Sequence, residues 1–111
     1  MAEQHSDKTP KVADLSSMCN EVSTTLKMMS HPQRLLLLYM LKEGPKTVTQ
    51  LQENLAGVSQ SHVSQFLNRL KLEKIVQGKR SGNFIYYSIK DPKVVEVIKA
   101  LDRIYCANET F

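Results

Sequence analysis

The chain has 111 residues and a net charge of +4, a length that bounds it to one domain whose modest core gains from a partner subunit. No apolar run approaches the ~20 residues needed to cross a bilayer, and residues 1–11 are polar and do not resemble a secretory signal, so neither a membrane span nor a leader is expected and a cytoplasmic location is. Its two cysteines are not expected to form a permanent disulfide in a reducing compartment, and there is no CxxC, zinc-finger cluster, glycine-rich phosphate loop or internal repeat.

Residues 1–12 have the composition of a flexible N-terminal arm. A first helix is expected from about Asp14, where Leu15, Met18, Cys19, Val22, Leu26 and Met29 form one apolar stripe. Ser30-His31-Pro32 breaks it, with His31 read as a capping or solvent residue and Pro32 suited to the first turn of a second helix. That helix runs through Arg34 and Leu35-Leu36-Leu37-Leu38 to Leu41, is apolar almost all round, and is expected in the core. Gly44-Pro45 stops it.

Thr47 to Leu55 forms a third, short helix ended by Ala56-Gly57, a left-handed stop, and Ser59 can cap a fourth. The spacing is that of a helix-turn-helix. In the fourth helix Val63, Phe66, Leu67 and Leu70 recur at three- and four-residue steps, which leaves amides and hydroxyls, not ordinary charges, on its surface. Asn and Gln can pair with adenine edges and Ser can serve either base type, so Ser59, Gln60, Ser61, His62, Ser64, Gln65 and Asn68 are the candidate DNA contacts. The same residues would suit a solvated face; their position in a helix-turn-helix is what favours reading. Charge agrees in place: residues 59–90 hold six Lys/Arg (Arg69, Lys71, Lys74, Lys79, Arg80, Lys90) against Glu73 alone, whereas residues 1–58 hold six of each sign and residues 91–111 three basic and four acidic.

Lys74-Ile75-Val76-Gln77 and Phe84-Ile85-Tyr86-Tyr87-Ser88-Ile89 are rich in β-branched and aromatic residues, with turn residues Gly78 to Asn83 between them. A hairpin with a basic tip follows, in which Lys79 and Arg80 are candidates for backbone phosphates. A last helix is expected from Pro92 with Asp91 as its cap and Val94, Val97, Ile98, Leu101, Ile104 and Tyr105 on a broad apolar face. The expected fold is mainly α with a small β-hairpin, a winged helix-turn-helix of order α-α-α-α-β-β-α over residues 13–108, dimerising through the terminal helices.

Met29-Ser30-His31-Pro32-Gln33-Arg34-Leu35-Leu36-Leu37-Leu38, then Leu51, then Val58 through Leu67, then Tyr86-Tyr87-Ser88-Ile89 resemble, in order and spacing, the ArsR/SmtB family of bacterial transcriptional repressors over about residues 14–107. The resemblance implies a homodimeric winged helix that binds double-stranded, palindromic operator DNA and releases it when an inducer acts. The Cys-x-Cys pair that arsenic and cadmium sensors of the family carry is missing here. The last helix offers Asp91, Glu96 and Asp102 without a histidine, the usual anchor for zinc or nickel. No metal and no cofactor is expected.

A nearer likeness is to the branch containing BigR, SqrR and HlyU, which senses reactive sulfur or oxidants through two cysteines. Cys106 matches the second of these, Tyr39 stands where the first is usual, and Cys19 is offered instead on the first helix. If the terminal helices pack antiparallel, Cys19 and Cys106 could approach within the ~7 Å Cα separation a disulfide allows, so a redox switch that releases the operator is one expectation. The other is a regulator without metal or redox sensing, or a protein-interaction module, whose cysteines only fill the core. An enzyme is not expected, because His5, His31 and His62 are scattered and no nucleophile, base and orienting group form a set.

Overall fold

A computed structural model describes residues 11–106. The expected arm therefore lies outside the described residues except for Lys11 and Val12, and Val12 already begins a helix. The elements are α1 (Val12–Met29), α2 (Pro32–Leu41), α3 (Val48–Glu53), α4 (Gln60–Leu72), β1 (Val76–Ser81), β2 (Phe84–Ile89) and α5 (Pro92–Tyr105).

The helices after α1 begin where side chains satisfy their free N–H groups. His31 Nδ1 accepts from Gln33 N at 3.2 Å with Pro32 in the first turn of α2. At α3, Thr47 Oγ1 accepts from Gln50 N at 3.2 Å while Gln50 Oε1 accepts from Thr47 N at 2.9 Å, a reciprocal capping box. Ser59 caps α4 through His62 N at 3.2 Å, and Asp91 caps α5 through Lys93 N at 2.9 Å. Gly57, at φ +75°, turns the chain between α3 and α4.

The end of α4 departs from expectation. Lys74 adopts φ +62°, Lys74 N donates to Lys71 O and Ile75 N to Leu70 O, each at 2.9 Å. This is a Schellman termination with lysine in the left-handed position usually given to glycine, and the buried Ile75 packs in the same core cluster as Leu70. Lys74 and Ile75 thus close a helix, and the strand starts only at Val76.

The hairpin turn is also shorter than expected. Gly78, Lys79, Arg80 and Ser81 belong to β1, paired antiparallel with β2 from Val76↔Ile89 to Ser81↔Phe84, which leaves Gly82 and Asn83 as a two-residue turn. Gly82 has φ +62°, the sign a type II′ hairpin requires at its first turn position. Gly78 is not a turn residue: a Cβ there would lie 3.0 Å from Ile85 Cγ2 and 3.2 Å from Tyr87 Cε1, so its lack of a side chain admits the facing strand. The other edge of β2 is tied down at Lys46, whose N and O exchange hydrogen bonds with Tyr87 O and N at 2.9 and 2.8 Å.

One core joins these elements. Leu37, Leu38 and Leu41 of α2 pack with Leu51, Leu55 and Val58, with Val63, Leu67 and Leu70 of α4, and with Ile75, Val76, Val94 and Ile98. α1 enters this core only through Met28 and Met29. Its remaining apolar stripe, Leu15, Met18, Val22 and Leu26, is exposed, as are Ile104 and Tyr105 at the end of α5. Among the described residues no helix is long and apolar enough to cross a membrane.

Candidate nucleic-acid interface

α4 inserts Val63, Leu67 and Leu70 into the core, and its 3.6-residue period sends the residues between them outward. Ser59, Gln60, Ser61, His62, Gln65 and Asn68 are exposed and Ser64 is half-buried, so all seven expected reading residues reach the surface of α4 or its N-cap. No acidic residue lies in α4, and Arg69 and Lys71 stand in its last turn. Gln60 Nε2 donates to Thr49 Oγ1 at 3.3 Å, which links the two helices of the helix-turn-helix. On the opposite flank the His62 ring stacks near Phe66 at 6.4 Å between centroids, and Phe66 meets His31 at 5.1 Å. His31 therefore contacts α4 besides capping α2.

Lys79 and Arg80 are exposed on β1, opposite Tyr86 and Ile85 respectively. Successive strand residues point to opposite faces, so the two cations are not a single patch. Arg80 folds toward the turn, its Nη1 donating to Gly82 O at 3.4 Å, and is the one nearer the tip.

The two thiols are both free, Cys19 exposed and Cys106 half-buried. Cys19 is therefore not a core residue of the single chain. α1 meets the first half of α5: Lys93 Nζ bonds Glu21 Oε2 at 3.1 Å, and Met18, Val22 and Leu26 share a groove with Val94 and Val97. Cys106 caps the far end of α5, about 13 Å beyond Val97 at the ~1.5 Å helical rise. Within one chain the fold does not bring Cys19 and Cys106 together.

What faces Cys106 is Tyr39, in a cavity of about 210 Å³ that also includes Leu35, Leu101 and Asp102. Tyr39 Oη donates to Asp102 Oδ1 at 2.6 Å and Lys42 Nζ to Asp102 Oδ2 at 3.3 Å, while the Lys42 ammonium lies 4.6 Å from the centre of the Tyr39 ring. The bond to Asp102 pushes the Tyr39 phenol above its ordinary pKa, with desolvation adding to it. The bonds from Tyr39 and then Lys42 hold the Asp102 carboxyl below its ordinary range. This clasp joins α2 to α5, and residue spacing alone did not reveal it because Asp102 lies 60 or more positions from both of its partners. Among the described residues no group of three or more His, Cys, Asp or Glu side chains is placed to hold a metal ion.

Comparison with known proteins is consistent with this geometry. Residues 31–77 match the family described as "Bacterial regulatory protein, arsR family". The chain is 36% identical over 96 residues to the HTH-type transcriptional regulator YgaV of Escherichia coli K12, covering 86% of this chain and 97% of that one. It is 35% identical over 109 residues to the biofilm growth-associated repressor of Xylella fastidiosa 9a5c, covering 96% and 95%. The crystal structure of the transcriptional repressor BigR from Xylella fastidiosa superposes with a TM-score of 0.78 at 34% identity, over 87% of this chain and 98% of that one.

Proposed function

The chain belongs to the ArsR family of bacterial regulatory proteins and is a DNA-binding transcriptional repressor of that type, and from that premise we propose that it acts in the cytoplasm as a homodimer on a two-fold operator. The observation that carries the reading is the exposed surface of α4, which bears amides and hydroxyls, lacks any carboxylate, and lies beside a hairpin carrying Lys79 and Arg80. Gln60, Ser61, His62, Ser64, Gln65 and Asn68 read base edges or nearby phosphates, Ser59 orders the helix end, and Arg80 with Lys79 holds the backbone. The exposed apolar faces of α1 and α5 supply the dimer contact, which sets two reading helices about one DNA turn, ~34 Å, apart.

The test is direct. An operator is located by footprinting the promoter region of the chain's own gene, and binding is measured for Gln60→Ala/Ser64→Ala. Operator affinity is expected to fall roughly 10- to 100-fold, the loss of about one paired base contact, with an unchanged melting temperature. Unchanged operator affinity would remove α4 from the reading role.

Release by thiol chemistry is the second part of the reading. Cys19 borders the uncovered apolar stripe of α1, and Cys106 follows the exposed Ile104 and Tyr105, so pairing of Cys19 with the partner's Cys106 is the arrangement open to a dimer. Peroxide would take two electrons and two protons from the two thiols, forming one disulfide and two waters; two equivalents of a persulfide donor would each give up a sulfane sulfur, leaving a trisulfide bridge and releasing two donor thiols and one hydrogen sulfide. Either changes helix packing at the interface and the spacing of the reading helices. Treatment is expected to yield a Cys19–Cys106 linked peptide by mass spectrometry and to release the operator, both effects being lost in Cys19→Ser and in Cys106→Ser. Intact operator binding after full oxidation would leave the cysteines without a sensing role.

A further inference from the structure

Beside α4, on the flank opposite Gln60, the end of α1, the start of α2 and α4 enclose an open cleft of about 450 Å³ bordered by Lys27, Ser30, Arg34, Gln65 and Arg69. Met28 and Phe66 complete its lining, and no carboxylate contributes to it. None of its three cations is paired with an acidic side chain among the described residues. Three like charges around one cleft repel unless an anion lies between them.

Arg34 makes the demand specific. It is half-buried, and its Nη1 donates to Met28 Sδ at 3.6 Å, a thioether and thus a weak acceptor. Its Nε is buried and donates to no group among the described residues. A buried guanidinium N–H without an acceptor is unfavourable, and the planar fork of arginine matches the oxygens of a phosphate in paired fashion. The Gln65 amide adds a neutral donor at the rim, whereas the Ser30 hydroxyl donates to Lys27 O at 2.8 Å.

The geometry points to a phosphate-binding cleft that receives one backbone phosphodiester of the operator duplex at the edge of the groove read by α4. This rests on the DNA-binding reading of α4 and extends it to α1 and α2. Gln65 belongs both to the cleft and to the exposed reading surface, and Arg69 lies one turn further along the same helix, so a strand flanking α4 passes the mouth of the cleft. Contacts of this kind set register without reading sequence. Because Lys27 comes from α1 and Arg34 from α2, the clamp also ties the reading helix to the helix that carries the exposed apolar stripe.

The test uses the full chain and a short random-sequence duplex, with binding followed by fluorescence anisotropy over a salt series. Arg34→Gln is expected to flatten the slope of log affinity against log salt by about 0.9 and to weaken binding about five-fold near physiological ionic strength. Lys99→Gln, on α5 and away from the cleft, is expected to leave the slope unchanged. Melting temperatures accompany each variant; should Arg34→Gln fail to fold, Lys27→Gln/Arg69→Gln replaces only exposed side chains and is expected to flatten the slope by about 1.8. Unaltered slopes in folded variants overturn the proposal. An Arg34-dependent rise in melting temperature with inorganic phosphate over chloride at equal ionic strength, with unaltered duplex slopes, gives the cleft to a free phosphate and overturns the duplex assignment. Failure of the unmodified protein to bind any duplex would remove the reading of α4 and this proposal with it, whereas slopes that persist in the variants remove the cleft alone.

Discussion

Val22→Asp/Leu26→Asp is expected to convert the protein to a monomer and to weaken operator binding by about 10²–10⁴-fold. In the single chain these side chains are 43% and 51% exposed, so a carboxylate there costs the isolated fold little. In the proposed symmetric dimer the same positions would be buried, and an unpaired charge would have to leave water. Losing the dimer removes the effective concentration by which the second half-site is engaged, and that accounts for the size of the expected loss. Sedimentation velocity checks the first result and anisotropy on a footprinted operator the second; a dimer that persists with both aspartates would move the subunit contact away from α1.

Leu67→Ala is expected to be strongly destabilising to α4 and the core it fills. Leu67 is 0% exposed, and truncating a fully buried leucine removes apolar contact and leaves a cavity, at a cost of about 2–5 kcal/mol. For a domain of this size that lowers the melting temperature by roughly 10–30 °C. Leu72, five residues on in the same helix, is 78% exposed, and its truncation is expected to change stability by less than about 0.5 kcal/mol. Thermal unfolding of the two variants side by side separates burial from helix propensity, because both replace leucine by alanine within one helix. Equal shifts would mean that α4 is not packed as described.

Local signals placed most of the fold. Caps are short-range devices, so Ser59, Asp91 and the His31-Pro32 pair marked helix starts that the structure reproduces, and apolar spacing in α4 separated its buried leucines from its polar surface. The hairpin was less legible. Gly78 and Lys79-Arg80 look like turn residues in isolation, yet cross-strand pairing extends β1 through Ser81, and Gly78 serves the approach of Ile85 and Tyr87. Lys74 read as a strand residue because a left-handed lysine has no local signature; its conformation follows from the two hydrogen bonds that end α4.

The sites divide in the same way. The candidate reading residues lie on one element and follow its period, so their place on the surface of α4 was legible from type and spacing. The Tyr39–Asp102–Lys42 clasp and the cleft of Lys27, Arg34 and Arg69 draw on elements distant in the chain. Side-chain identity alone did not mark them.

The amino-acid sequence by itself determined the helix-turn-helix and the cationic segment beside it, because period, capping and charge density are properties of neighbouring residues, and the ordered motifs between Met29 and Ile89 carried the family resemblance. Tertiary structure alone decided that Cys106 meets Tyr39 instead of Cys19, that Lys79 and Arg80 face apart, and that three cations converge on one cleft. These depend on how α1, α2, α4, α5 and the hairpin cross, and long-range packing, not local preference, sets those crossings.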